Sequence, residues 1–272
     1  MTSPSGGGSR PQPFEIDTSK PHPARMYDYF LGGKDNYEVD REAAEEFMKS
    51  APEVRVGVRA NRRFMHRAVR YVVAEGGVRQ ILDVGTGLPT EPNVHQIAHA
   101  IAPDTRIAYV DNDPIVSAHS RALMAGSDTS VVLADVRDPR ALLDHPDVRK
   151  IIDFDRPVAL MLVALLHFVP DAEDPDGIVA TLRDALPTGS YLVLSHATGD
   201  VHADRREDAA AVYNSASATM NLRSHSRILD FFGDFSLVEP GLVPVPDWRP
   251  EESPRQGTPP IGIYGAVARK NG

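Results

Sequence analysis

Three aspartates close three successive apolar runs, and a glycine turn follows the first. The run QILDVGTGLPT, residues 80–90, carries Asp83 just before Gly85, with Thr86 and Gly87 completing the turn. Glycines are needed where the backbone turns sharply and a ligand must approach the main chain. Thr90 stands where a dinucleotide fingerprint has its third glycine, and an acid ahead of the turn would repel a pyrophosphate. Asp83 instead suits a ligand that presents a cation. Asp111, with Asn112 beside it in IAYVDNDP, ends the next run at the spacing of an acid that accepts hydrogen bonds from ribose hydroxyls. Asp135, followed by Val136 in VVLADVRDP, ends the third, where a carboxylate can accept from an adenine amino group. Asp113 and Asp138 each precede a proline and read as helix N-caps. His167, in ALLHFVPDAED, closes a fourth run and is the candidate general base. The competing reading is that it packs, or orders the loop with Asp171.

Such residues need a sheet whose strand ends converge. Apolar runs at Gln80–Val84, Arg106–Val110, Ser130–Leu133, Val158–Leu165 and Tyr191–Ser195 show little polar alternation. Helical patterns separate them at about Asn93–Ile101, Pro114–Gly126, Pro139–Leu143 and Asp176–Leu186. That alternation predicts a parallel sheet covered on both faces, which binds ligands at its carboxyl edge. After His196 the rhythm changes: helices are expected over Val201–Asn221 and Ser224–Phe232, then an antiparallel pair, Phe235–Val243 and Ile261–Ala268. Ahead of the sheet, helices are expected before Gly32-Gly33, from Asp40 to Ser50 and from Val58 to Glu75.

The 272 residues contain no cysteine, which excludes disulfide scaffolds, cysteine zinc clusters, iron–sulfur chemistry and cysteine nucleophiles. A net charge of −9 gives no global attraction for phosphate backbones, so no nucleic-acid partner is expected. The longest uncharged apolar run, Pro157 to Pro170, is too short to span a bilayer, and the first residues lack the apolar stretch of a signal peptide. A cytoplasmic protein is the expectation. His95 and His99 share a helix face, but no third ligand is evident and no metal is expected.

DVGTG, VDNDP and ADVRDP, in that order, resemble the cofactor-binding segments of class I S-adenosylmethionine-dependent methyltransferases over roughly Val78 to Ser195. The block ARMYDYFLGGKDNYEVDR widens the resemblance to nearly the whole chain after Lys20. It is similar to an actinobacterial methyltransferase family long catalogued as a domain of unknown function. The resemblance implies a Rossmann-like α/β fold: a mostly parallel seven-stranded sheet with an antiparallel C-terminal strand and an N-terminal helical lid. It implies S-adenosylmethionine as cofactor and S-adenosylhomocysteine as product, with Asp83, Gly85, Thr86, Gly87, Asp111, Asn112, Asp135 and Val136 around it. Many small-molecule O-methyltransferases place a similar histidine segment where His167 stands, and in some of them that histidine is the base.

Residues 1–20 read as a disordered tail, 21–77 as the lid, and 78–272 as the core with a helical insert at about 201–232. Tyr27 and Asp28 are expected to line the cofactor or acceptor pocket, with Gly32-Gly33 allowing closure; the plainer reading is that the tyrosines pack on the sheet edge. Arg25, Asn36, Tyr37, Tyr213, Asn214 and His225 are acceptor-binding candidates. Arg59, Arg62 and Arg63 form either a carboxylate-binding patch or a solvated helix face. The expected function is methyl transfer to oxygen or nitrogen of a small molecule. The alternatives are a non-catalytic S-adenosylmethionine-binding regulator and an NAD(P)-dependent oxidoreductase.

Overall fold

Apolar strands that alternate with helices assemble here into one sheet. The structure, a computed structural model, describes residues 18–124, 126, 128–201, 220–251 and 260–272. The expected helix over 201–221 falls almost wholly outside these residues, and the candidates Tyr213 and Asn214 lie outside them. Five parallel strands, β1 (Gln80–Val84), β2 (Arg106–Asp111), β3 (Thr129–Leu133), β4 (Ala159–Val163) and β5 (Tyr191–Ala197), form its main part. Three further strands, β6 (Ser236–Leu237), β7 (Val243–Pro244) and β8 (Ile263–Arg269), complete it in the order β3-β2-β1-β4-β5-β8-β6, with β7 also on β8. β8 runs antiparallel to β5, as expected. Eight strands occupy the seven expected positions, because β6 and β7 are two pieces along one edge of β8. The single run expected over 235–243 is broken where Pro240 has no N–H for a ladder and Gly241, at φ +90°, turns the chain.

Nine α-helices are described around the sheet or ahead of it: α1 (Pro23–Leu31), α2 (Glu38–Ser50), α3 (Val54–Ala74), α4 (Val94–His99), α5 (Pro114–Met124), α6 (Pro139–Asp144), α7 (Pro146–Ile151), α8 (Pro175–Asp184) and α9 (His225–Asp230). α7 was not among the expected helices. Pro146 stands at its first turn, where no N–H is needed, and His145 Nδ1 accepts from Asp147 N at 3.1 Å. The period of two along β1 sends Leu82 and Val84 to one face with α6–α9, and Ile81 to the other with α3 and α4. Asp83 therefore belongs to the α3 face, which is where its chemistry begins.

On that face the chain's one tryptophan, Trp248, is fully buried, edge-on to Phe64 (5.5 Å) and Tyr71 (5.9 Å) of α3. Trp248→Ala should cost about 3–5 kcal/mol in urea unfolding followed by circular dichroism. A loss below about 1 kcal/mol would show that α3 is seated by other contacts.

Candidate active site

The strand order reverses between β1 and β4, and at such a point the loops diverge and leave a crevice. A cavity of about 280 Å³ lies there, walled by the ends of β1 to β4, by α1 and by α3. Asp83, Gly85, Thr86, Gly87, Asp111, Asn112, Asp135 and Val136 all line it, as do Tyr27 and Asp28. Gly85 and Gly87 stand at φ +73° and +67°, the left-handed region that glycine enters without strain.

The three acids differ in their surroundings. No described N–H or hydroxyl donates to the Asp83 carboxylate, and no cation lies within ion-pair distance. Burial pushes its pKa up to about 7, which the charge of Arg62 partly offsets and that of Asp111 adds to. Asp111 accepts from Gly87 N (2.8 Å) and Asp113 N (2.9 Å), so it ties the glycine turn to the end of β2. Burial raises it to about 6 despite those bonds. Asp135 is also partly buried, but Arg137 N, the Asn112 amide and the Arg137 guanidinium hold it below the usual carboxylate range.

From the N-terminal block, Asp28 Oδ2 accepts from Asn36 Nδ2 (2.8 Å) and Asp35 N (3.0 Å). Gly33 must lack a side chain, since a Cβ there would fall 1.9 Å from Asp28 Oδ1. Burial raises the pKa of Asp28 as well. Arg25 is buried away from the cavity, where it joins Asp40 Oδ2 (2.8 Å) and stacks over Tyr37. Asn36 reaches the cavity only through Asp28, and Tyr37 is the N-cap ahead of α2. His225 sits against Tyr264, its Nε2 on Leu242 O at 3.0 Å, also outside the wall.

His167 is buried behind the wall that Phe168 and Val169 make. Its ring packs on Phe168 and His196, and its Nδ1 faces Ala197 N at 3.4 Å. Burial, with His196 and Arg223 nearby, holds its pKa well below the usual histidine value. His95 and His99 are engaged separately, with Tyr109 Oη and Thr105 O. Of the three arginines singled out on α3, Arg59 and Arg63 are exposed, whereas Arg62 turns into the cavity. Sequence reasoning missed Asn61, Met65 and His22 in the lining. The spacing of Asn61 and Met65 on one helical face was the available signal.

A buried carboxylate with no partner at the end of β1 fits a ligand that carries an ammonium group there, and Asp111 and Asp135 fit an adenosine. A doubly wound sheet with a reversed strand beside β5 and this row of acids defines a Rossmann-like S-adenosylmethionine-dependent methyltransferase. Residues 9–271 match the family model described as S-adenosyl methyltransferase, and the chain belongs to that family. A DUF574 family protein from Streptomyces avermitilis is 45% identical, with TM-score 0.91 over 94% of this chain and 100% of its own. A candidate methyltransferase from Thermobifida fusca is 41% identical, with TM-score 0.89 over 94% of this chain and 97% of its own. No protein of curated function matches significantly. The methyl donor is S-adenosylmethionine.

An acid whose folded pKa is raised destabilises the free protein increasingly as pH climbs from its unfolded value near 4 through about 7. Asp83→Asn removes that penalty. Its stability should exceed the wild type's at pH 8 by up to about 4 kcal/mol, and the gap should close toward pH 5. Chemical denaturation at the two pH values measures it; parallel pH dependence in both proteins would contradict the assignment.

Proposed function

We propose that this methyltransferase acts on an oxygen or nitrogen of a small molecule in the cytoplasm, with the cofactor lying along the strand ends. When bound, S-adenosylmethionine supplies an electrophilic methyl group. Asp83 takes the ammonium of the amino-acid end, Asp111 the ribose hydroxyls, and Asp135 with the Val136 main chain the adenine edge. The observation that carries this reading is the buried, unpartnered Asp83 carboxylate in line with the other two acids. Among the described residues, no helix is long and apolar enough to cross a membrane.

The helices over residues 21–77 act as the lid in this proposal. Tyr27 and Asp28 line the cavity from α1, and in this reading they meet the acceptor. Alignment of donor and acceptor does most of the work in methyl transfer, so the demands on a base are modest. Asp28, with its raised pKa, is suited to take up a proton at the wall itself. His167 would serve from behind that wall, by holding the segment that carries Phe168 and Val169.

Calorimetry tests the cofactor assignment. S-adenosylhomocysteine should bind the wild type, Asp111→Ala should weaken it roughly 10- to 100-fold, and NADH should not bind. Binding of NADH in place of S-adenosylhomocysteine would overturn the proposal.

A further inference from the structure

The outer faces of α2 and α3 carry opposite charge. α3 holds six arginines and no acid, in a chain whose net charge is −9. Arg62 and Arg67 are committed inward, Arg62 at the cavity and Arg67 on the carbonyls of Val245 (2.7 Å) and Trp248 (2.8 Å). Arg59 and Arg63, one turn apart, are exposed, and neither has a hydrogen-bond or ion-pair partner among the described residues. Like charges at that spacing repel along a helix, so the pair costs the isolated protein stability.

On α2 the same spacing recurs with the opposite sign. Glu38 and Glu42 are exposed, one turn apart, and likewise without partners among the described residues. The bases of that helix are already engaged, Arg41 on Asn36 O at 2.9 Å and Lys49 on Glu46. The two faces adjoin near the turn between the helices, where Arg55 lies 4.0 Å from Glu45 and over the ring of Tyr29. Glu45 follows Glu42 by three residues and Arg55 precedes Arg59 by four, so each neighbours the free pair of its own helix. One surface stripe results, acidic through Glu38, Glu42 and Glu45 and basic through Arg55, Arg59 and Arg63. Two of the five large apolar side chains left exposed among the described residues stand along it, Tyr37 at 40% and Val56 at 42%.

A stripe that changes sign at its middle is complementary to itself. Turned about a two-fold axis through the Arg55–Glu45 junction, a second copy sets its basic half on the acidic half of the first, and the contact is made twice. A partner of one sign fits only half. An anionic membrane, a nucleic acid or an acidic protein would meet the arginines and be repelled by the glutamates beside them.

We infer that the protein forms a two-fold dimer through this stripe: Arg59 and Arg63 of one protomer meet Glu38 and Glu42 of its partner, and Val56 and Tyr37 supply apolar contact. This is independent of what the cavity binds. Exposed ion pairs are individually weak, so the dimer is reversible and dissolves in salt. Because α3 also carries Asn61 and Met65 of the cavity wall, each protomer backs the other's lid from outside.

Sedimentation equilibrium of the full chain tests the dimer. At low salt the average mass should climb with concentration from 29.7 kDa toward twice that, with a dissociation constant of ~10–100 μM. Raising the salt to about 0.5 M should weaken association ~10-fold or more. Arg59→Glu with Arg63→Glu, and Glu38→Lys with Glu42→Lys, should each leave a monomer, since like charges then face each other. An equimolar mixture of the two double variants should dimerise again, because both contacts regain opposite charges. A wild type that stays monomeric at low salt up to about 0.5 mM would overturn the dimer. So would association that survives in either double variant alone, or assemblies larger than a dimer. Double variants that keep the wild-type circular dichroism yet do not pair with each other would overturn it as well.

Discussion

The structure is organised around a carboxylate that the fold cannot neutralise. Asp83 lies at the end of a central parallel strand, and the period of two along β1 sets it on the α3 face, where Tyr109 and α3 enclose it. It cannot leave that place without moving β1, which pairs with β2 and β4 on either side. The nearest arginine is held off by its own bonds to the Thr90 and Pro92 carbonyls. Burial without a partner is costly, and raises the pKa until the group is about half protonated at neutral pH. A site that binds a cationic ligand has use for this: the ligand brings the missing charge.

Other features keep the acid and its neighbours in register. Asp111 holds the Gly87 N–H across the glycine turn, so the turn and the end of β2 move together. The N-terminal helices lie beside them: His22 Nδ1 comes within 3.1 Å of Asp113 Oδ2 near the end of β2, and Arg25 ties α1 to α2 through Asp40. On the opposite side, the buried Arg223 donates to Leu166 O and Val169 O (both 2.8 Å) and to His196 Nε2 (2.9 Å), and it meets Asp171. That clamp explains why His167, in the short helical turn that follows β4, is interior. The segment is drawn back onto β5, so His167 faces His196 while Phe168 and Val169 form the cavity wall.

Much of this was legible in the residues. Strong apolar runs with short glycine or Asx breaks located β1 to β5 to within two residues at either end, because buried parallel strands leave little other choice of composition. The three acids were legible for the same reason: position along a strand fixes which end of the sheet a residue meets. Orientation beyond the strands was less so. Arg62 lies in a helix with arginine at 55, 59, 62, 63, 67 and 70, and only the packing of α3 decides which of them turns inward. His167 read as a site residue from its place at a strand end, but the direction of its ring depends on Arg223, distant in sequence. Proline alone does not say which part it plays: Pro146 starts a helix, while Pro240 interrupts an edge strand.

The most direct test of the unneutralised carboxylate is the proton balance of cofactor binding. S-adenosylhomocysteine would be titrated near pH 6.5 by calorimetry in two buffers of different ionisation enthalpy. A ligand ammonium that stabilises ionised Asp83 should release a substantial fraction of one proton, and the release should vanish in Asp83→Asn. Binding with no proton release in the wild type, or with net uptake, would contradict the account.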